Sequence, residues 1–387
     1  MIMGREIMNV VIVVSTVQQL QIILDSISLE TIKVSKIVLA EGPFAETMDI
    51  GFNGRHFQAS SYEYLEEIVA STQYDFLFVS DQSSNALLGE MGIPTSTIVN
   101  LTMLFFPVQL YEKVRLLHYL QRNIQGTSYK IFVTGLSYAY HGTDLSSYSL
   151  PTVNLSGISQ DLYYDFSMAK RAMAYPQQSF RYAVIGLAPY SFHSDLSRSA
   201  ENWRVPAYAL ALEDTHHFPL DSNQWRQLMY PLITRELRAI EKEKGAFDFN
   251  DPIGLCTQMD FVMGSAQRLA ARKRAESWKW KRFPCTVKEN KDILRQYIRL
   301  CHEKQILPIL VIFPVTDIFR KFFSKQILEE FYGYVDELQK EENVLMLDYF
   351  ASDAFSHQDF YDIDHLNRTG AKKVSSMIDE QLRAYIS

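Results

Sequence analysis

Tyr129-Lys-Ile-Phe-Val-Thr-Gly-Leu-Ser-Tyr-Ala-Tyr-His-Gly142 decides how the rest of the chain is read. Ile131, Phe132 and Val133 make an apolar, strand-forming run, and Thr134-Gly135 ends it in a tight turn. Just beyond the turn stands a single hydroxyl, Ser137. Open α/β sheets bind ligands at the carboxyl ends of their strands, so this serine is well placed for chemistry. A serine hydroxyl is a weak nucleophile until a base takes its proton, so a histidine is required from elsewhere. Phe360-Tyr-Asp-Ile-Asp-His-Leu-Asn-Arg-Thr-Gly370 offers one. Asp362 and His365 are three apart, so one short loop can hold a carboxylate against the imidazole and fix its tautomer. Asp364 adjoins the histidine and competes for that role, or else caps the turn that follows.

Outward from this strand the pattern alternates. Leu150–Ser159 reads as a short strand and turn, Asp161–Ala174 as a helix, and Arg181–Leu187 as a strand ending in Ala188-Pro-Tyr-Ser-Phe192. Lys288–Lys304 is an amphipathic helix and Ile306–Phe313 a buried strand. Phe319–Glu341 is helical, Val344–Leu347 is the last strand, and Ala371–Ile386 the closing helix. Between these, Ser197–Arg282 breaks the alternation: it is polar and mostly helical, an insertion beside the sheet and a candidate lid. Upstream, Val10–Val14, Lys36–Ala40, Asp75–Val79 and Thr97–Leu101 read as strands. Val17–Ile27, Tyr62–Ala70 and Asn85–Met91 read as helices between them. Leu104–Ile124 is a helix entered through Pro107. The expected fold is two-domain α/β: a small Rossmann-like domain over 1–103, a helical linker over 104–127, and an α/β domain over 128–387 with a helical insertion at about 198–287.

The 387 residues are 47% hydrophobic and 21% charged, enough for two cores. A net charge of −7 argues against a general nucleic-acid binder. Three widely spaced cysteines suggest neither a disulfide framework nor a zinc site, which suits a reduced compartment. His216 and His217 are adjacent, an awkward arrangement for joint metal ligation, and no metal is expected. The apolar run Val10–Val14 is too short for a signal-peptide core, and no stretch reaches the length of a membrane span. A cytoplasmic location is therefore expected. Ser15-Thr16-Val17 follows the first strand where a dinucleotide site needs its glycines, so docking or scaffolding is the expected role of the N-terminal domain.

Gly135-Leu136-Ser137 together with Asp362-x-x-His365-Leu-Asn-x-x-Gly370, followed by an amphipathic helix, resembles the SGNH (GDSL-like) hydrolase and acyltransferase family. The resemblance runs over roughly Tyr129–Ser387, with Leu136 standing where that family has an acidic residue. Tyr74–Asp81 with Gly92-Ile-Pro94 and Ile98–Leu101 resembles small Rossmann-like domains fused to sugar-modifying enzymes and methyltransferases. The SGNH likeness implies a three-layer α/β/α domain with Ser137 as nucleophile, His365 as base and Asp362, in preference to Asp364, as its orienting carboxylate. It implies oxyanion donors at the Ser137 and Gly157 backbone N–H groups. The family's asparagine donor is missing from Gly186-Leu-Ala-Pro-Tyr-Ser191, leaving Asn154, Tyr190 or Ser191 to replace it. His141 and His193, with Tyr190 and Ser191, are candidate substrate contacts. Ala271–Arg282 interleaves basic residues with Trp278 and Trp280, a pattern suited to a phosphate-bearing ligand such as an acyl coenzyme A. The implied activity is serine-dependent acyl transfer or ester hydrolysis on a small carbohydrate or glycan precursor. No resident cofactor is expected, and acetyl-CoA is a candidate acyl donor. A non-catalytic scaffold or ligand-binding protein in a polysaccharide pathway is the alternative.

Overall fold

The computed structural model describes residues 7–40, 47–123, 126–228, 264–277 and 284–384. These form two α/β units, each built on its own parallel-rich sheet. The first sheet contains β1 (Met8–Val14), β2 (Ile32–Leu39), β3 (Thr47–Phe52), β4 (Arg55–Ser61), β5 (Phe76–Val79) and β6 (Ile98–Asn100). Their order is β3-β4-β2-β1-β5-β6, parallel except for β3 against β4. Strand β1 is apolar and almost wholly buried because a parallel interior strand is covered on both faces. One face packs Val11, Val13 and Val79 against Leu65, Ile68 and Leu88 from the flanking helices. Helix Val17–Ser26 is closed at its start by a capping box between Thr16 and Gln19.

Strands β3 and β4 form a hairpin that the hydrophobic pattern did not announce. Its turn is Asn53-Gly54, with φ +48° and +75°, the backbone that a two-residue hairpin demands. The dipeptide was the available signal. Its flanks are largely exposed, so no alternating apolar pattern drew attention to it.

The second sheet is wholly parallel and runs β11-β10-β9-β7-β8. Its strands are β7 (Ile131–Gly135), β8 (Thr152–Asn154), β9 (Tyr182–Leu187), β10 (Leu307–Ile312) and β11 (Leu345–Asp348). The chain steps from β7 to β8 on one side, then returns to the other side of β7 and continues outward through β9, β10 and β11. The order therefore reverses at β7, and the crevice of a doubly wound sheet opens at the carboxyl end of that strand. Ser137 follows it after Leu136.

Helices Leu162–Met173, Pro284–Glu303, Lys325–Glu341 and Arg368–Ala384 belong to this second unit. The last buries Ala371, Val374, Ile378 and Leu382, one apolar stripe at helical spacing. The stretch expected as one helix over Phe319–Glu341 is two, Asp317–Phe322 and Lys325–Glu341, parted at Phe323-Ser324.

The boundaries drawn by packing differ from those read along the chain. Helix Pro107–Arg122 crosses the division between units, which falls at Arg115/Leu116. Leu196–Leu228, which takes in the first part of the stretch expected as an insertion in the second domain, groups with the first unit. There the Phe106 and Trp203 rings lie 5.8 Å apart, and Lys113 sits over the Tyr208 ring. Helix Ser265–Ser277 stays with the second unit. The charged run Glu236–Lys244, Cys256, and Trp278 with Trp280 lie outside the described residues. Among the described residues no helix is long and apolar enough to cross a membrane.

Candidate active site

The turn after β7 is shaped by close contact between backbone and a small side chain. Gly135 has φ +139°, and a Cβ there would lie 2.7 Å from the Ala139 Cβ and 2.8 Å from the Gly186 carbonyl oxygen. Glycine is needed on both counts, because the following helix Ser137–Gly142 lies directly over the ends of β7 and β9. That contact carries Ser137 past the strand end at the first position of the helix.

The far loop is closed on itself. Phe360 and Leu366 form an isolated antiparallel bridge, and the Tyr361 N–H donates to the His365 carbonyl at 2.8 Å. Asn367 Nδ2 donates to the Gln358 carbonyl at 2.7 Å, while its Oδ1 accepts from the Gly370 N–H at 3.0 Å. The motif Asp-x-x-His-Leu-Asn-x-x-Gly thus has a local physical reason. Asn367 both caps helix Arg368–Ala384 and pins the loop that presents the aspartate and the histidine.

His365 Nε2 lies 2.8 Å from Ser137 Oγ. On the other side of the ring, Nδ1 lies 2.9 Å from Asp362 Oδ2 and 3.1 Å from Oδ1. Asp362 Oδ1 also accepts the N–H groups of His365 and Asp364, at 2.7 and 3.0 Å. Burial opposes ionisation of Asp362, but the His365 ring and these two amides outweigh it and hold the carboxyl well below its ordinary range. For His365, burial favours the neutral ring, yet the charges of Asp364 and Asp362 outweigh it and raise the imidazole above 6.5, with Arg274 opposing.

Asp364 is the more buried of the two loop carboxylates, and burial raises its pKa. Its Oδ1 accepts from Arg274 Nη1 at 2.8 Å and its Oδ2 from the Tyr138 hydroxyl at 2.9 Å. Arg274 Nη1 also stands 3.9 Å from Asp362. Asp362, Asp364 and His365 present donor atoms within 4.8 Å of one another, a grouping that could hold a cation. The guanidinium set against both carboxylates already supplies positive charge there.

The other residues singled out from the sequence fall differently. Gly157 does not have a free amide: its N–H donates to the Gly135 carbonyl at 3.0 Å, which fixes the turn after β8 against the turn after β7. The expectation of an oxyanion donor at Gly157 is therefore corrected. Asn154 Oδ1 accepts from the Ser156 N–H at 3.0 Å and from its hydroxyl, a turn that orients the amide and takes up its oxygen end. Ser191 is buried, and its Oγ accepts from the Ala188 N–H at 2.9 Å, which closes a turn. His193 is buried with Nε2 3.4 Å from Glu330, a pairing that takes no part in the serine–histidine chain. His141 does approach the site, its ring 5.1 Å from that of His365. Tyr190 is buried 6.1 Å from the Tyr138 ring and hydrogen-bonds the Tyr138 hydroxyl.

Within the basic patch, Arg274 is engaged by Asp364 and Arg272 pairs with Glu276 at 3.1 Å. Ala271 and Ala275 are buried, so one face of this helix is packed and does not serve as an open phosphate platform. Arg274 and Tyr138 are the site neighbours that sequence reading missed. An ion pair across 90 residues leaves no periodic trace, although the basic stretch Ala271–Arg282 did include Arg274.

A protein-family model covers residues 265–387, under half of the chain, taking in Asp362 and His365 but not Ser137. No functionally curated protein sequence matches. Among solved structures, a Bacteroides fragilis protein assigned as an acylhydrolase is similar over 70% of this chain and 96% of its own, with 10% identity and a TM-score of 0.36. The chemistry rests on the distances above.

Proposed function

We propose that the second unit is a serine-dependent acyl-transfer or ester-hydrolysis site of the SGNH kind. The single observation that carries this reading is the continuous chain Ser137 Oγ–His365 Nε2 at 2.8 Å and His365 Nδ1–Asp362 Oδ2 at 2.9 Å. In the proposed reaction Ser137 Oγ attacks an ester or thioester carbonyl while His365 Nε2 takes the hydroxyl proton. Asp362 keeps the other ring nitrogen protonated and stabilises the imidazolium. The alkoxide or thiolate then leaves with the proton returned by His365. Water or a sugar hydroxyl then gives up its proton to the same nitrogen and attacks the acyl-serine; the bond from the acyl carbon to Ser137 Oγ breaks, and His365 returns the proton to Ser137.

The developing oxyanion needs donors that point at it. The Ser137 N–H begins a helix, where backbone N–H groups lack intrahelical partners, and is the first. Asn154 Nδ2, with its oxygen end held by Ser156, is proposed as the second in place of Gly157. A small carbohydrate or glycan precursor is the proposed acceptor, and acetyl-CoA a proposed donor. Hydrolysis of p-nitrophenyl acetate, wild type against Ser137→Ala, tests the reading: turnover by the wild type alone supports it, and equal turnover by both removes it.

One observation favours the alternative of a non-catalytic ligand-binding protein, namely the engaged Gly157 amide. That alternative predicts that neither ester nor acetyl-CoA is turned over while a glycan still stabilises the protein against heat.

A further inference from the structure

Behind the Ser137–His365–Asp362 chain stands a second carboxylate. Asp364 Oδ1 is 3.5 Å from His365 Nδ1, against 2.9 Å for Asp362 Oδ2. Asp364 is only 2% exposed, so its pull on the imidazole is weakly screened. Two groups from other elements restrain it. Arg274 Nη1, reaching in from helix Ser265–Ser277, donates to Oδ1 at 2.8 Å, and the Tyr138 hydroxyl donates to Oδ2 at 2.9 Å. The arginine's helix is itself anchored to the same loop. Ala271, one turn before Arg274, packs with Ile318 and with Ile363, the residue between the two carboxylates.

We propose that Arg274 is a positioning residue: its guanidinium holds Asp364 off His365 Nδ1, so that Asp362 alone orients the ring and Nε2 stays on Ser137 Oγ. The inference rests on the acyl-transfer reading above. The titratable and charged groups around the ring are Asp362 and Asp364 from its own loop, Tyr138 and His141 from helix Ser137–Gly142, and Arg274. Tyr190 joins through Tyr138. Among these groups Arg274 is the permanent cation. Without it the imidazole faces two uncompensated carboxylates, which favour its protonated form and compete for the same nitrogen.

The test compares Arg274→Gln, Asp364→Asn and the double variant in two readouts. One is the pH profile of p-nitrophenyl acetate turnover. The other is the ring-nitrogen NMR titration of His365, recorded with Ser137→Ala in each protein so that no turnover is needed. Arg274→Gln is expected to lower kcat about tenfold with KM little changed and to move the acid limb up by about one pH unit. In the double variant both return toward wild type, because the arginine has no carboxylate left to restrain. Asp364→Asn alone moves the limb below wild type. A double variant no better than Arg274→Gln makes Arg274 a structural tether and overturns the proposal, as does a limb and titration unmoved by Arg274→Gln or by Asp364→Asn. If Ser137→Ala leaves turnover intact, the acyl-transfer reading falls, while the NMR titration still decides what Arg274 does to the ring.

Discussion

Ser15 follows β1 and Ser137 follows β7, each at the point where its sheet reverses strand order. The two serines follow topologically equivalent strands and meet different partners. Ser15 Oγ donates to Asp81 Oδ2 at 2.8 Å, and Asp81 also accepts from the Ser80 hydroxyl and from the Ser84 amide and hydroxyl. Burial opposes its ionisation, but these donors outweigh it and keep the carboxyl below its ordinary value. A carboxylate so well supplied is a poor base near neutral pH, and Ser15 keeps its proton. The amides of Ser15 and Thr16 both donate to Gln19 Oε1, so the backbone that a phosphate would need is already occupied. Ser137 meets an imidazole instead. Topology fixes where a serine can be presented; the group opposite it decides whether the hydroxyl can be activated.

The largest effect should come from breaking that difference at Ser137. Ser137→Ala or His365→Ala is expected to lower kcat for ester hydrolysis by about four orders of magnitude or more, measured by p-nitrophenol release. Ser15→Ala should leave the same assay within about twofold, since no step of the proposed mechanism passes through it. Next in size, Asn154→Ala should lower kcat about a hundredfold with little change in KM, the signature of a lost oxyanion donor. An unchanged kcat would return that role to another group.

The pH dependence sharpens the comparison further. His365 must be neutral to accept the Ser137 proton, and its pKa is raised above 6.5, so activity should climb with pH along a limb centred above 6.5. The sign for stability is the opposite. The protonated ring is favoured by folding, so its contribution is full below 6.5 and fades as pH rises through the folded value. Asp362, held low, contributes above its ordinary 3.8 and loses that contribution as pH falls. The smallest effect belongs to the first unit. Asp81→Ala removes the cap of helix Gln82–Glu90 and should lower stability by about 1 kcal/mol in thermal unfolding, with turnover unchanged.

Much of this was legible along the chain because local signals carried it. The apolar run Ile131–Val133 and its Thr-Gly turn gave the strand and the serine after it. The Asp-x-x-His spacing gave the loop, since Asp362 reaches the amide and ring of a residue three positions on without help from elsewhere. Polar pairs made across the fold were not legible. Gly157 looked like a free donor until the turn after β8 met the Gly135 carbonyl. Arg274 looked like part of a ligand platform until helix Ser265–Ser277 was laid against the Ile363 loop. Ser191 and His193 followed a strand end as a ligand contact would, but Ser191 Oγ was met by the Ala188 amide and His193 Nε2 by Glu330. The grouping of Leu196–Leu228 with the first unit was hidden for the same reason, because aromatic contacts such as Phe106 with Trp203 have no period in sequence.

The relay from Ser137 to His365 is tested most directly by covalent labelling with a fluorophosphonate, followed by mass spectrometry. The expected result is one adduct per chain, on the peptide carrying Ser137, formed at least a hundredfold more slowly (roughly the contribution of a general base) when His365 is replaced by alanine. No adduct, an adduct on another residue, or equal rates with and without the imidazole would contradict it.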